Sequence, residues 1–374
     1  ATHITSNLGS DGSKRLCVVG KKTDGSTQKQ ALATEYSFWK GPVQLGAASF
    51  TKNTVLIDVP YVATSLTVSN GATLTLAGGC SLTVSGTLQV TGNSTLLAKA
   101  RNRTNQVNGA WAGEGVSISA STLNVDSGSK ISADGEGYTG KVQNSSEAAG
   151  PGAVVSIGSS GFGGSHGGRG GGQTSVAAIY GNGLVPNDLG SGGSAWVPGD
   201  YNGGNGGGAI RISVSGTLTL AGSISADGSS GSTWSSGGSG GSLYLDVGTF
   251  AGAGTISANG GNGQNGGGAG SGGRIALRYS TANNFSGTVS YATGTGVGGE
   301  YGTYARVDAT EGSNAEKIFV DRKLTLIANT TLNAKDLTVG KLSSGVAAEL
   351  RVFGGSTLNL SGTVLVQENS NIVF

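Results

Sequence analysis

The stretch GFGGSHGGRGGGQ, Gly161–Gln173, places one of the chain's 2 histidines three residues before an arginine. An imidazole can act as a general base, and a guanidinium can neutralise a carboxylate. Together they are the pair that a polysaccharide lyase needs to remove a proton beside a uronate. His166 and Arg169 are therefore candidate catalytic residues, and Tyr201 is a third because a tyrosine can also serve as the base.

Aromatic side chains in the neighbouring loops could bind a sugar. Trp196, Tyr201 and Trp234 offer flat apolar faces on which a sugar ring can stack. Tyr180 and Asp200 belong to the same set of loops. The plainer interpretation is that the aromatic rings pack over the neighbouring chain and hold the loops in place. No two carboxylates stand in a clear pair of the kind that a glycosidase uses.

Three acidic or amide side chains recur at equivalent places. Asp134 and Asp227 follow identical ISA tripeptides, and Asn259 follows a third. Stacked oxygens of this kind are weak candidate ligands for calcium. Asp-Gly and Asn-Gly are also turn dipeptides, and a side-chain ladder stabilises stacked turns without a metal. The turn interpretation is favoured, so no cofactor is expected and calcium is the alternative.

Cysteine and composition limit the classes of protein that the chain can belong to. Cys17 and Cys80 could form one disulfide in a secreted protein or remain two buried thiols. The net charge is +2 over 374 residues, without the Lys/Arg cluster that nucleic acid or an acidic membrane requires. No apolar run approaches the roughly 20 residues of a membrane-spanning helix. The many glycine strings lack the GK[ST] of a nucleotide-binding loop.

Internal repetition is the strongest signal in the sequence. ISADG begins at Ile131 and Ile224, and ISANG begins at Ile256, 32 residues after the second copy. A parallel series, AIRISV, SLYLDV and RIALRY, has spacings of 33 and 32 residues. Repeats of this length are typical of solenoids, in which each unit buries its apolar face against the next.

Alternation within each unit predicts strands. IRISVSGTLTL, Ile210–Leu220, alternates apolar and polar residues with the period of a half-buried strand. The Ser-Gly in its middle is expected to break the strand at a corner. The sequence therefore predicts an all-β parallel β-solenoid, a right-handed β-helix, with long glycine-rich loop insertions in its central coils. A two-sheet sandwich is the alternative fold, but it leaves the 32-residue period unexplained.

Glycine-rich insertions have a structural prediction of their own. The chain contains 72 glycines without the every-third-residue period of collagen. Glycine permits backbones to approach closely. The insertions are therefore expected to stack in layers beside the coils.

Four regions are predicted. Residues 1–52 form an N-terminal cap filled by Tyr36, Phe38 and Trp39, with a short helix at Gln28–Trp39 as its only helical pattern. Residues 53–100 form short coils, residues 101–305 carry the insertions, and residues 306–374 return to short coils. The opening ATHITSN predicts a processed product, and the closing NSNIVF predicts either truncation or stacking of another chain on this edge.

Longer motifs carry a resemblance. SGTLTLAGSISADG, GSGGSLYLDVGTFAGAGTISANGGNG and GSGGRIALRYSTANNFSGTVSYATG resemble the glycine-rich repeats of large secreted bacterial surface proteins. The resemblance covers roughly residues 115–305. It implies a parallel β-helix and a secreted or cell-surface location, and it carries no catalytic residues with it.

Two functions follow as hypotheses. The first is a non-enzymatic extracellular structural or adhesive β-solenoid, which includes a surface or filament subunit whose partners are copies of itself. The second is a polysaccharide-binding or lyase-like β-helix whose partner is an extracellular polysaccharide. The missing catalytic constellation favours the first.

Overall fold

A computed structural model of the chain shows an all-β protein. It describes residues 42–57, 59–142, 147–154, 161–172, 178–195, 201–312, 316–321, 323–326, 331–340, 349–352, 355–367 and 370–374. Within these ranges there are 23 strands and no helix, and hence none that could cross a membrane. The helix predicted at Gln28–Trp39 and the apolar side chains Tyr36, Phe38 and Trp39 lie outside the described residues. The last part of the predicted N-terminal cap is described, and it carries a strand at Val43–Phe50.

The strands occur along the described chain with one long interval, between Ser132 and Ala209. They are β1 (Val43–Phe50), β2 (Thr54–Ile57), β3 (Tyr61–Val68), β4 (Thr73–Ala77), β5 (Ser81–Val90), β6 (Thr95–Ala98), β7 (Val116–Val125), β8 (Lys130–Ser132), β9 (Ala209–Leu220), β10 (Ser223–Ser225), β11 (Ser242–Gly252), β12 (Thr255–Ser257), β13 (Arg274–Phe285), β14 (Thr288–Ser290), β15 (Thr303–Asp308), β16 (Lys317–Asp321), β17 (Lys323–Leu326), β18 (Thr331–Ala334), β19 (Asp336–Val339), β20 (Glu349–Val352), β21 (Thr357–Leu360), β22 (Val364–Val366) and β23 (Asn371–Val373).

Apart from β15 and β16, strands pair with strands of the next repeat and not with their neighbours in sequence. An 11-stranded sheet has the order β1-β3-β5-β7-β9-β11-β13-β15-β16-β19-β22, and a 7-stranded sheet runs β14-β12-β10-β8-β6-β4-β2. Smaller sheets are β17-β20-β23 and β18-β21. Parallel pairing prevails, with β15 against β16 antiparallel. The prediction of an all-β, parallel-stranded protein is confirmed, and the arrangement is compatible with a β-solenoid.

The sequence repeats stack in register. Ile224 lies between Ile131 and Ile256 in the 7-stranded sheet, and Val289 continues the row. The first three of these side chains are 0–1% exposed, so they form one column of the core. Identical residues in a column fill the same space in every layer, which fixes the register of the strands.

Corners of the large sheet differ from the prediction. Ser215–Gly216 does not end a strand, because β9 runs through it from Ala209 to Leu220. The pairing register of β9 with β11 shifts opposite this point, between Val247 and Thr249. A Cβ on Gly216 would lie 2.8 Å from Ser121 O, so glycine permits a bend without loss of pairing.

The buried apolar side chains form two large clusters. One extends from Leu56 to Tyr304 and the other from Val307 to Val352. They meet near β15 and β16, where the sheet changes from parallel to antiparallel pairing.

Glycine-rich insertions form an ordered bundle beside the sheets. We call it the glycine bundle, and it consists of residues 137–141, 161–172, 190–194, 203–208, 226–232, 235–241, 258–264, 267–273 and 291–302. Its chains are extended and outside the named strands, and their hydrogen bonds go to other chains with a period of three residues. This is the period of a polyproline II-type helix, whose backbone groups point outward in three directions.

Residues 235–241 show the pattern on three sides. Every third N–H donates to the same neighbouring chain. On one side, Ser236 and Ser239 donate to Ser194 O and Ser191 O, and on the second, Gly237 and Gly240 donate to Gly268 O and Ser271 O. On the third side, Gly238 and Gly241 donate to Ser229 O and Ala226 O. A buried chain in this bundle therefore satisfies its backbone donors without forming a β-ladder.

Glycine is required here for close approach. A Cβ on Gly241 would lie 1.9 Å from Gly208 O, and one on Gly203 would lie 1.8 Å from Gly193 O. Neither residue has a left-handed φ. The insertions lie against one another through backbone hydrogen bonds, and at Gly241 and Gly203 the missing side chain, not an unusual dihedral, permits the close approach.

Candidate functional site

Two regions in or next to the glycine bundle carry side chains that could take part in acid–base chemistry or in binding. One lies where the bundle meets the ends of the long strands, and it contains His166, Tyr180, Asp188, Ser191 and Arg274. We call this group the base cluster. The other lies at the far ends of the bundle chains and contains Tyr201 and Trp234.

His166 is fully buried at the centre of the base cluster. Its Nδ1 lies 3.0 Å from Gly240 O, and since a carbonyl only accepts, we assign the ring hydrogen to Nδ1. The ring packs on Tyr180 with 4.7 Å between centroids. Burial, with the charge of Arg274 as a second cause, lowers the pKa of His166 to about 3. The imidazole is therefore neutral at physiological pH, and Nε2 is a buried acceptor without a described partner.

Arg274 is the cation of the base cluster. It begins β13, is 0% exposed, and donates from Nε to Tyr180 O at 2.9 Å. Its Nη1 lies 3.4 Å from Thr303 Oγ1, whereas Nη2 has no hydrogen-bond partner among the described residues. Burial lowers the pKa of Arg274 to about 10, an effect that the charge of Asp188 opposes. The guanidinium remains charged near neutral pH.

Tyr180 and Asp188 complete the wall around these two groups. The Tyr180 hydroxyl donates to Leu189 O at 2.5 Å and lies 2.8 Å from Ser191 Oγ. Burial raises the pKa of the Tyr180 phenol well above its ordinary value. Burial also raises the pKa of Asp188, and the charge of Arg274 opposes that rise.

The base cluster joins the bundle to the sheet. Asp188 O accepts the hydroxyl of Ser242 at 2.6 Å, and Ser242 pairs with Arg274 on the next strand. The cluster thus tethers residues 180–191 across the starts of β11 and β13. Its polar groups bind the chain to itself, which is a structural use of residues that could also do acid–base chemistry.

The two residues of the GFGGSHGGRGGGQ stretch occupy different environments. His166 has no exposed surface, whereas Arg169 is exposed, and its backbone N–H donates to Glu300 Oε2 at 3.0 Å. A polysaccharide in solvent cannot contact His166 unless the bundle opens.

Tyr201 and Trp234 lie at the far end of the bundle. Asn202 and Ser232 exchange backbone and side-chain hydrogen bonds of 2.8–3.0 Å, so the residues beside them, Tyr201 and Trp234, belong to adjoining chains. Trp234 is 47% exposed and has a φ of 56°. Ala195 pairs with Ser235, while Trp196 and Asp200, which follow Ala195, lie outside the described residues.

The Asp134 and Asp227 side chains form a ladder of hydrogen bonds. Asp134 accepts the Asp227 N–H at 2.8 Å and the Ser225 hydroxyl at 2.9 Å. Asp227 accepts the Asn259 N–H at 2.5 Å in the same way. Their oxygens are used by the neighbouring repeats, and the described residues contain no group of three or more acidic, His or Cys side chains suited to a metal. The ladder supports the turn interpretation over the calcium one.

Cys80 is buried, 2% exposed, and its Sγ lies 2.5 Å from Ala77 O and 3.4 Å from Leu56 O. Cys17 lies outside the described residues, so its pairing stays a prediction.

Sequence reasoning did not select Arg274 or Asp188. Arg274 had a visible signal, because it stands in register with Ala209 and Ser242, two small residues of the same repeat position. A charged side chain at a position where the neighbouring repeats have small residues indicates a contact that those repeats do not make. Asp188 lies outside the repeats and had no comparable signal.

Searches against protein-family models, curated proteins and solved structures find no match to this chain.

Proposed function

We propose that the chain is a non-enzymatic extracellular β-solenoid with a structural or adhesive role, in secreted material or at a cell surface. The parallel sheets would close into a right-handed solenoid, because crossovers between parallel strands are almost always right-handed. The resemblance of residues 115–305 to bacterial surface repeats supports the location.

One observation carries the proposal. The side chains best suited to catalysis form contacts that join the glycine bundle to the sheet. Backbone hydrogen bonds on several sides also connect the chains of the bundle to one another. Close-packed chains without room for a Cβ have little freedom to rearrange. Such a block suits a spacer or a platform that presents its outer ends, and it does not suit a cleft that must open for a polymer.

Self-assembly is the filament form of the same proposal. Copies would stack head to tail along the sheet direction, which would pair strand edges such as that of β23. Electron microscopy of the full-length protein at high concentration would show rods or filaments, and only monomers would overturn this form.

Polysaccharide degradation is the alternative that an assay can separate. The full chain is incubated with polygalacturonate, alginate and neutral polysaccharides, and unsaturated and reducing ends are measured. The structural or adhesive role predicts no turnover. Turnover that is lost in both His166→Ala and Tyr201→Phe, with both variants folded, would overturn the proposal.

Carbohydrate binding without turnover is a second candidate, and one observation favours it. An exposed tryptophan on a left-handed backbone is unusual for a bulky residue and costs local energy. Outliers of this kind concentrate at binding sites.

A further inference from the structure

The outer ends of the glycine bundle form one surface. Residues 226–232 run outward from β10 and residues 235–241 run back, and residues 258–264 and 267–273 do the same from β12. Six residues of a polyproline II-type chain cover about 19 Å, so the chain reverses well away from the ends of the strands that it connects. We call the described ends the tip face, and it consists of residues 201–202, 230–235, 262–266 and 293–298.

Hydrogen bonds hold the parts of the tip face side by side. Ser232 contacts Asn202, and Gln264 N donates to Ser235 O at 2.8 Å. Gly263 N donates to Thr295 O at 2.7 Å. Each pair joins a different two of the four segments, so the four ends form a continuous surface on a rigid support.

The tip face presents apolar and amide groups. Trp234 is 47% exposed and Val297 is 38% exposed, and the tip face also contains exposed amide side chains, among them Asn202 and Asn265. An exposed ring beside amide donors and acceptors is the combination that binds a sugar, since the ring covers the C–H face and the amides bond the hydroxyls.

Charge narrows the class of ligand. None of the tip-face residues is Asp, Glu, Lys, Arg or His. A uronate or sulfated ligand would need a cation on the protein for each carboxylate or sulfate group that it buries. Lys141, which accepts a hydrogen bond from Gly203 N through its carbonyl at 2.9 Å, is a basic residue at the margin.

We propose that the tip face binds an uncharged polysaccharide, with a sugar ring stacked on Trp234. The inference rests on the adhesive form of the proposed function and names its surface and its ligand class. A glycan is favoured over a protein partner because an uncharged face of amides, hydroxyls and one exposed indole matches a polymer of neutral hydroxylated rings.

Affinity electrophoresis of the full chain tests the proposal. Gels contain laminarin, galactomannan, xyloglucan or dextran as neutral polysaccharides, and polygalacturonate or alginate as acidic ones. Wild-type protein should be retarded by at least one neutral polysaccharide, and Trp234→Ala should weaken binding by tenfold or more. If Trp234→Ala fails to fold, Trp234→Asn keeps a residue that tolerates a left-handed φ and removes the ring.

Two matched variants control the experiment. Tyr301 is 44% exposed and lies just before β15, at the end of the bundle that adjoins the strands and not at the tip face. Tyr301→Ala should therefore leave binding unchanged. Lys141→Ala should also leave neutral binding unchanged. Retention in the acidic gels alone, with loss in Lys141→Ala, would overturn the proposal.

Other outcomes separate this inference from the proposed function. No retardation by any neutral polysaccharide, or self-association that Trp234→Ala abolishes without glycan binding, would overturn the tip-face inference and leave the structural role standing. Turnover of a polysaccharide would overturn the proposed function whatever the binding data show.

Discussion

Asp134 Oδ1 accepts the backbone N–H of Asp227, 93 residues further along the chain, at 2.8 Å. Asp227 repeats the contact with Asn259, and Asn259 repeats it with Ala292 N at 2.8 Å. One side chain in each repeat thus fixes the backbone of the next, whether it is a carboxylate or an amide.

Replacement of Asp227 tests whether the ladder depends on shape or on charge. Asp227→Asn should lower the free energy of unfolding by less than about 0.5 kcal/mol, because Asn259 already makes the same contacts. Asp227→Ala should cost about 1–3 kcal/mol, since it leaves the Asn259 N–H and the Ser257 hydroxyl without their acceptor. Denaturant unfolding measures both. Equal losses in the two variants would contradict the ladder.

The same residue makes stability depend on pH. Burial raises the pKa of Asp227, with the Asn259 hydrogen bond opposing and the Asp134 charge adding. A raised pKa in the folded state means that the folded chain binds the proton more tightly than the unfolded chain does. The stabilisation that comes from this protonation is present at low pH and is lost as pH rises through the folded pKa. The advantage of Asp227→Asn over wild type should therefore be largest near neutral pH and shrink on acidification. Unfolding measured across this range would contradict the shift if the difference stayed constant.

Glycines of the bundle should be intolerant of even one methyl group. Gly241→Ala would place a Cβ 1.9 Å from Gly208 O and should cost about 3 kcal/mol or more. Gly266 is the matched control, because it has open space around a Cβ and a φ of 92°. Gly266→Ala should cost only the left-handed strain of about 1–2 kcal/mol. Thermal unfolding of the two variants compares them, and similar losses would contradict close packing in the bundle.

The repeats in the sequence were sufficient to predict the core column and the turns, because side chains determine both. Ile131, Ile224 and Ile256 mark the same position in each repeat because an identical core column favours an identical residue. The Asp134 and Asp227 turns were readable for the same reason.

The arrangement of the glycine bundle was harder to predict from the sequence, because glycine has no side chain and so gives no pattern of apolar and polar residues. Its three-residue period shows only where serines occupy every third position, as Ser236 and Ser239 do, with their hydroxyls buried at 0% exposure. The base cluster was unreadable for another reason. His166 and Arg274 are 108 residues apart in sequence, and only the three-dimensional path of the insertions brings the charge of Arg274 within range of the His166 ring.

His166 should give the protein an acid-sensitive stability. Its pKa is about 3 in the folded chain, against 6.5 as the ordinary value, because burial and Arg274 disfavour the imidazolium. The unfolded chain therefore binds a proton between these values that the folded chain does not, and stability is lost as pH falls below 6.5. The slope from this group is about 1.4 kcal/mol for each pH unit.

His166→Phe isolates this effect. The variant keeps a ring against Tyr180 and loses the Gly240 hydrogen bond, which should cost about 1 kcal/mol at pH 7. Asp188, Tyr180 and Arg274 are present in both proteins, so the difference between the two pH profiles reports His166 alone. Wild type should lose stability relative to His166→Phe as pH is lowered from 6.5 towards 3. Parallel profiles would show that the imidazole accepts a proton in the folded state, and the buried, neutral assignment of His166 would be wrong.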